Sequence, residues 1–278
     1  DPAIITAVNM LGTGMAAELA AQGKSGVVTN AIYDGFTPAR AYQHYHAGAR
    51  ILSETASADI ATSVVVSPSS IGGGRGYDAA TASVNYPNPW TGGTWGLPDI
   101  VDYMDAGAMA LLNNAAKNRR YWLENFYRIN ERAVNGWDAW PTAWVIPGDQ
   151  ENETGLAYVL RILRMGDVEV YRAARAFEAD GVSIQAGTYV VPMNQPYASF
   201  AQTLLEVQQY PDLREYPDGP PRRPYDVTAH TLPLLMNVSA VAVEDLDGGL
   251  AGVLESVPIE TFTPAASIFF TLQVTLNM

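Results

Sequence analysis

The sequence predicts a mixed α/β protein built from two successive domains. Three observations carry that expectation. The chain opens on an apolar helical period. Two short strand-like segments and a long Gly/Pro-rich stretch follow. Beyond a Gly/Trp/Pro segment at 135–141, strand-like and helix-like runs alternate. The 278 residues give room for one large domain or two ordinary ones, and 48% hydrophobic residues are ample for a core.

Residues 3–22 read as a helix. Ile4, Val8, Leu11, Met15 and Leu19 recur at steps of three and four and share a face. Asp1 and Pro2 suit the cap and first turn, and Gly23 is a natural stop. Val27–Tyr33 reads as a strand, broken at Thr37-Pro38. Gly48–Glu54 reads as a second strand, centred on Ile51 and Leu52 and ending on a carboxylate. Residues 62–98 have no period and carry Gly72-Gly73-Gly74, Pro87, Pro89, Gly92-Gly93, Trp90 and Trp95. A loop of that length is functional or packed over something. The helical period returns from Pro98 to Val134 at Ile100, Met104, Ala108, Leu111, Ala115, Trp122 and Phe126, as two helices or one bent one. Ala143–Ile146, Val168–Tyr171, Tyr189–Val191 and Val238–Val243 then read as strands, and Glu153–Met165 and Ala198–Gln209 as helices. Asp180-Gly181 is a turn signal, Tyr210–Pro224 a Pro-rich charged loop, and Phe269–Leu276 a lone final strand. The alternation predicts a small α/β domain with a largely parallel sheet, and a division into 1–136 and 137–278.

Composition narrows the chemistry. There is no cysteine, which excludes disulfides, thiolate zinc sites, iron–sulfur clusters and a Cys nucleophile within these residues. Three histidines, His44, His46 and His230, leave little for an imidazole metal site. Sixteen basic against 29 acidic residues, a net charge of −13, argue against a nucleic-acid partner. No apolar run is read as long enough to span a bilayer, so no membrane partner is expected. The opening Asp1-Pro2, with neither Met nor a signal-peptide core, implies a removed leader or further polypeptide upstream.

Gly12-Thr13-Gly14-Met15-Ala16-Ala17 has the G-x-G-x-x-A form of a dinucleotide fingerprint, with Asp34 near the place of a ribose-binding acid. That motif needs a strand before it, and residues 3–10 have helical spacing. The alternative is small residues where a helix packs closely on a sheet. His44-x-His46 would share one face of a strand, but zinc needs a third ligand; otherwise they are surface or loop histidines. Gly72-Gly73-Gly74-Arg75-Gly76 has backbone N–H groups for an anion but no Gly-Lys-Ser/Thr ending, and reads as a mobile loop. No G-x-S-x-G is present. Glu54 is the most informative residue. At a strand end it is placed to act as a general base if a metal or cation keeps it ionised, or else to pair with Arg40 or Arg50.

Taken in order, these pieces resemble the later part of the catalytic domain of the zinc carboxypeptidase (carboxypeptidase A-like metallopeptidase) family. The match runs through the helix at 1–22, then Ile32-Tyr33, then Ile51-Leu52-Ser53-Glu54, with Tyr33 and Glu54 separated by 54 − 33 = 21 residues. Ala49-Arg50-Ile51-Leu52-Ser53-Glu54-Thr55-Ala56-Ser57 looks like the Glu segment of a large bacterial branch. So do Asn88-Pro89-Trp90-Thr91-Gly92-Gly93-Thr94-Trp95 and Tyr225-Asp226-Val227-Thr228-Ala229-His230-Thr231-Leu232-Pro233. Members of that branch are exported and carry a C-terminal, flavodoxin-like α/β domain similar to class I glutamine amidotransferases.

The resemblance implies a secreted or periplasmic hydrolase that releases residues from peptide C-termini, or an amide-cleaving relative. Zinc would polarise the scissile carbonyl and activate a water. Glu54 would be the catalytic base that passes the proton to the leaving amine, and Tyr33 would hydrogen-bond the bound peptide. In the family the zinc ligands, a His-x-x-Glu pair and a later His, lie upstream of the helix that opens this chain. The substrate-gripping arginines lie there too. No residue here is a metal ligand by motif. The chain is therefore expected to be the C-terminal part of a longer enzyme, to bind no catalytic zinc alone and to be inactive alone. Without a Cys nucleophile the second domain is expected to be a structural or substrate-positioning module. Two rivals remain at this point: a non-catalytic relative that binds peptides or cell-wall fragments through Trp90 and Trp95, and an NAD(P)-binding protein using Gly12 and Gly14.

Overall fold

The computed structural model describes residues 1–31, 35–36, 38–74, 76–136, 141–209, 211–222, 226–246 and 250–257. The first elements are α1 (Pro2–Ala21), β1 (Gly35–Phe36), α2 (Tyr42–Tyr45), β2 (Val64–Val66), β3 (Gly93–Trp95), α3 (Leu97–Lys117) and α4 (Arg119–Val134). Next come β4 (Ala143–Ile146), α5 (Glu153–Met165), β5 (Tyr171–Ala173), β6 (Phe177–Ala179), β7 (Val182–Ile184), β8 (Tyr189–Pro192) and α6 (Ala198–Leu205). The last are β9 (Asp226–Val227), α7 (Leu232–Met236), β10 (Val241–Val243) and β11 (Leu254–Ser256). Both helices and sheets are present, as the mixed α/β expectation required. The chain forms two compact units, 1–131 with 210–228, and 132–209 with 229–278. The division thus falls a few residues before the expected 136/137, and the loop after 209 returns to the first unit.

In the first unit α1 is capped as its sequence indicates. Asp1 Oδ1 accepts from Ala3 N at 2.7 Å, Pro2 sits in the first turn, and Gly23 follows the helix at φ +78°. The helix packs against α3, where a Cβ on Gly107 would stand 3.2 Å from Met15 Sδ. At the start of α3, Asp99 Oδ2 accepts from Gly96 N at 2.9 Å. Asn118 closes it, with its backbone N–H and its side-chain amide both donating to Asn114 O. The long period therefore resolves into two helices. Its buried stripe is Ala106, Gly107 and Ala110, while Val101, Met104 and Leu112 are exposed.

Neither expected strand of this unit forms over its described residues; Ile32 and Tyr33 of the first lie outside them. Residues 27–31 lie in no ladder; Gly26 N and Thr29 N donate instead to Asn88 O and Asn85 O, each at 2.8 Å. Gly48–Glu54 is also outside any strand, and the preceding residues form the one-turn α2. A strand needs a neighbour to take its backbone groups. Loop residues, not another strand, meet the first segment, and no ladder reaches the second. The short sheets that do form are the parallel pair β1–β9 and the antiparallel pair β2–β3.

The expectation that no segment has the length and composition of a membrane span needs correction. At 20 residues with mean hydropathy 1.4, α1 meets that test. Asn9, Thr13 and Glu18 interrupt its apolar run, it packs against α3, and only 11% of its apolar stretch is buried.

The second unit holds a five-stranded sheet in the order β10-β4-β8-β5-β11, with every pairing antiparallel. This overturns the largely parallel sheet. The physical reason lies in the connection β4–α5–β5. Both strands run antiparallel to β8, so they are parallel to each other, and β8 has inserted between them. The alternation announced the crossover but not the inserted strand. Asp180-Gly181 turns the β6–β7 hairpin with positive φ at both residues, as the turn signal predicted.

All of β4 is buried. Ala143 and Val145 pack with Phe177, Val190, Val243 and Val253 on one face. On the other, Trp144 Nε1 donates to Gln202 Oε1 of α6 at 3.1 Å. Among the described residues, the largest fully buried side chains all belong to this unit, including Ile146, Val159, Leu160, Leu163 and Leu205. The expected final strand Phe269–Leu276 lies outside the described residues.

Candidate active-site segment

Glu54 lies in the first unit, on the segment between α2 and β2. Gly48 N donates to Gln43 O at 2.7 Å, and Ala47 takes φ +58°, so the chain reverses as it leaves α2. It then runs without regular structure to the tight turn at Asp59–Thr62. The Glu54 side chain is exposed. Among the described residues it makes no ion pair, so pairing with Arg40 or Arg50 does not occupy it. Tyr33 and Asp34 lie outside the described residues.

His44 and His46 do not share a face. His44 is on the one-turn α2 and His46 caps it, and two helical steps turn a side chain by about 200°. His46 Nδ1 sits 2.9 Å from Tyr42 O, and its ring stacks on Tyr42 with centroids 4.1 Å apart. The buried Nδ1 of His44 has no hydrogen-bond partner among the described residues. Burial first, then the Arg50 guanidinium and the N-terminal amine, hold the His44 imidazole below its ordinary pKa. Among the described residues no three His, Asp or Glu side chains come together. These residues do not fit a zinc centre.

The G-x-G-x-x-A segment lies inside α1 with no strand before it, so it does not form the nucleotide-binding turn. Its small residues serve packing against a helix, not a sheet: a Cβ on Gly14 would stand 3.5 Å from Asn114 Nδ2 of α3.

The Gly-rich loop is organised by aromatic side chains. Trp90 and Trp95 are half-buried and meet edge-to-face with centroids 5.8 Å apart; Trp95 meets Tyr103 of α3 at 5.2 Å. Tyr103 donates through its hydroxyl to Ser25 O at 3.0 Å and accepts from Ser25 N at 3.2 Å. Lys24 Nζ sits 4.8 Å above the Tyr103 ring and pairs with Asp102. Trp90 N donates to Tyr86 Oη at 3.2 Å. Gly26, at φ +78°, lets the backbone pass Trp90, whose Cβ would be 2.9 Å from an added methyl. Trp95 Nε1 donates to Ala56 O at 2.9 Å. The two half-buried indoles thus brace the loop against α3 as well as presenting part of their surface. Sequence reading had marked them as loop contacts, and only their five-residue spacing hinted that they meet.

An apolar cavity of ≈ 160 Å³ lies where α1, α4 and the turn after α2 meet, lined by Ile4, Ala7, Ala47, Gly48, Trp122 and Phe126. His230 is buried in the second unit. Comparison with protein-family models, curated proteins and solved structures finds no match to the chain.

Proposed function

We propose that the first unit is part of the catalytic domain of a zinc carboxypeptidase-like hydrolase that releases residues from peptide C-termini, with Glu54 as its base. The activity is assigned from the sequence resemblance, and the structural observation that accords with part of a longer domain is the small interior of this unit. Its described buried hydrophobics are Ala7, Leu19, Ala47, Ala79, Tyr86, Ala106 and Ala110, mostly small side chains. Burial of large side chains is the main stabilising term in a domain. The helices of this unit also leave Ile5, Met104 and Leu112 exposed, which accords with further polypeptide packing there. Two strand-like segments without ladder partners fit the same explanation: the sheet they would join is supplied by further polypeptide.

Glu54 suits its role because it is exposed and free of a competing ion pair among the described residues. A carboxylate in that state is able to accept a proton from an attacking water and return it to the departing amine. Tyr33 is assigned to the bound peptide by the resemblance alone. The metal ligands are assigned to polypeptide upstream by the resemblance alone. An exported, periplasmic or secreted location goes with this proposal. The second unit is assigned as an accessory α/β module, and its antiparallel sheet gives the amidotransferase likeness no support.

The test uses the polypeptide extended upstream through a His-x-x-Glu pair and a later His. Glu54→Gln is expected to lower C-terminal residue release about 10²–10⁴-fold with zinc content unchanged. An unchanged rate removes Glu54 from the mechanism. An upstream region without those ligands removes the peptidase assignment.

A further inference from the structure

We propose that Trp95 is the positioning residue for the Glu54 segment: its indole N–H ties the backbone two residues beyond Glu54 to the aromatic cluster on α3. The inference rests on the assignment of Glu54 as the base. Among the described residues, the Trp95 Nε1–Ala56 O bond is the one hydrogen bond made to residues 49–58. No ladder, helix or ion pair holds that stretch otherwise.

The far end of the bond is firmly held. Trp95 is on β3, paired across from Val64 of β2. Its ring meets both Trp90 and Tyr103 edge-to-face. Tyr103 is fixed in turn by two hydrogen bonds to Ser25 and by Lys24 above its ring. A chain of contacts therefore runs from the end of α1, through α3 and β3, to Ala56. A general base works only from a narrow range of positions, and small displacements cost large factors in rate. The Trp90–Trp95 motif, which the sequence marks without explaining, acquires a role: it builds the strut and presents the donor.

Two measurements test this. In the 278-residue chain, cleavage after Glu54 by a glutamate-specific endoproteinase, followed by mass spectrometry, reads the order of the segment. Trp95→Phe keeps one aromatic ring at the site and removes the N–H with the rest of the indole; Trp90→Phe removes the same volume from the cluster but, among the described residues, no hydrogen bond to the segment. Trp95→Phe is expected to speed that cleavage about tenfold and Trp90→Phe to leave it near the parent rate; equal rates in the two variants overturn the anchoring. In the upstream-extended, zinc-loaded enzyme, Trp95→Phe is expected to lower kcat about ten- to a hundredfold at constant KM and zinc content. If Glu54→Gln abolishes turnover and Trp95→Phe leaves kcat intact, the positioning role fails and the base assignment stands. If Glu54→Gln leaves turnover intact, both fail.

Discussion

At the scale of single residues, burial and local charge decide what a side chain does. His44 illustrates this. Its depressed pKa means that the folded chain binds its proton less readily than the unfolded chain does. Stability contributed by this group is whole above the ordinary imidazole value of about 6.5 and is lost as pH falls through the lowered folded value. His44→Gln is therefore expected to flatten the decline of first-unit stability below about pH 6.5, read by thermal unfolding across a pH series. Asp180 is a second case. It holds φ +49°, and its carboxylate accepts from Asp245 N at 2.7 Å and from Glu244 N at 3.2 Å. Asp180→Ala loses those bonds and strains the turn, at an expected cost of roughly 1–2 kcal/mol in urea unfolding of the second unit. Asp180→Gly, which tolerates the conformation, is expected to lose only the part due to the bonds, so equal losses would deny the strain.

At the scale of elements, end signals were legible because they act through neighbouring residues. The Asp1–Pro2 start of α1 and the 153–165 span of α5 follow directly from their sequences. Glycines inside helices were not legible, since their reason lies elsewhere in the fold. Gly155 opens the first turn of α5, where Asn152 Oδ1 accepts from its N–H at 2.9 Å. A Cβ there would stand 2.4 Å from Met236 O and 2.5 Å from Asn152 Nδ2. Helix propensity favours Gly155→Ala by about 1 kcal/mol, but the clash is with backbone and with the capping side chain. The clash wins, and a net loss of about 2 kcal/mol is expected in chemical denaturation. A gain in stability would mean that the α5–α7 contact yields without cost.

At the scale of the molecule, the two units differ in kind. The second has large side chains sealed between sheet and helices; the described buried hydrophobics of the first are mostly small. Native-state hydrogen exchange is expected to show β4 and β8 among the slowest amides, with α1 and α3 at least a hundredfold faster, a difference of about 3 kcal/mol. Equal protection would contradict the reading of the first unit as part of a longer domain. Binding of a hydrophobic fluorophore to the 278-residue chain, suppressed once upstream polypeptide is present, checks the same point.

By itself the sequence determined α1 with its cap, the span of α5, the strands Ala143–Ile146 and Tyr189–Val191, the Asp180-Gly181 turn and the candidacy of Glu54. These depend on periodicity, on residues a few positions apart, or on the chemistry of one side chain. It did not show the short helices α2 and α7, and it ran α6 to Gln209 where the helix ends at Leu205. Tertiary structure alone decided the rest. It inserted β8 between β4 and β5, left 27–31 and 48–54 without ladder partners, placed the G-x-G segment on a helix–helix contact, and turned two loop tryptophans into a strut behind Ala56. Each of these outcomes depends on which distant segment arrives alongside. A strand's partner, and the far end of an indole's hydrogen bond, are not encoded in the residues adjacent to them.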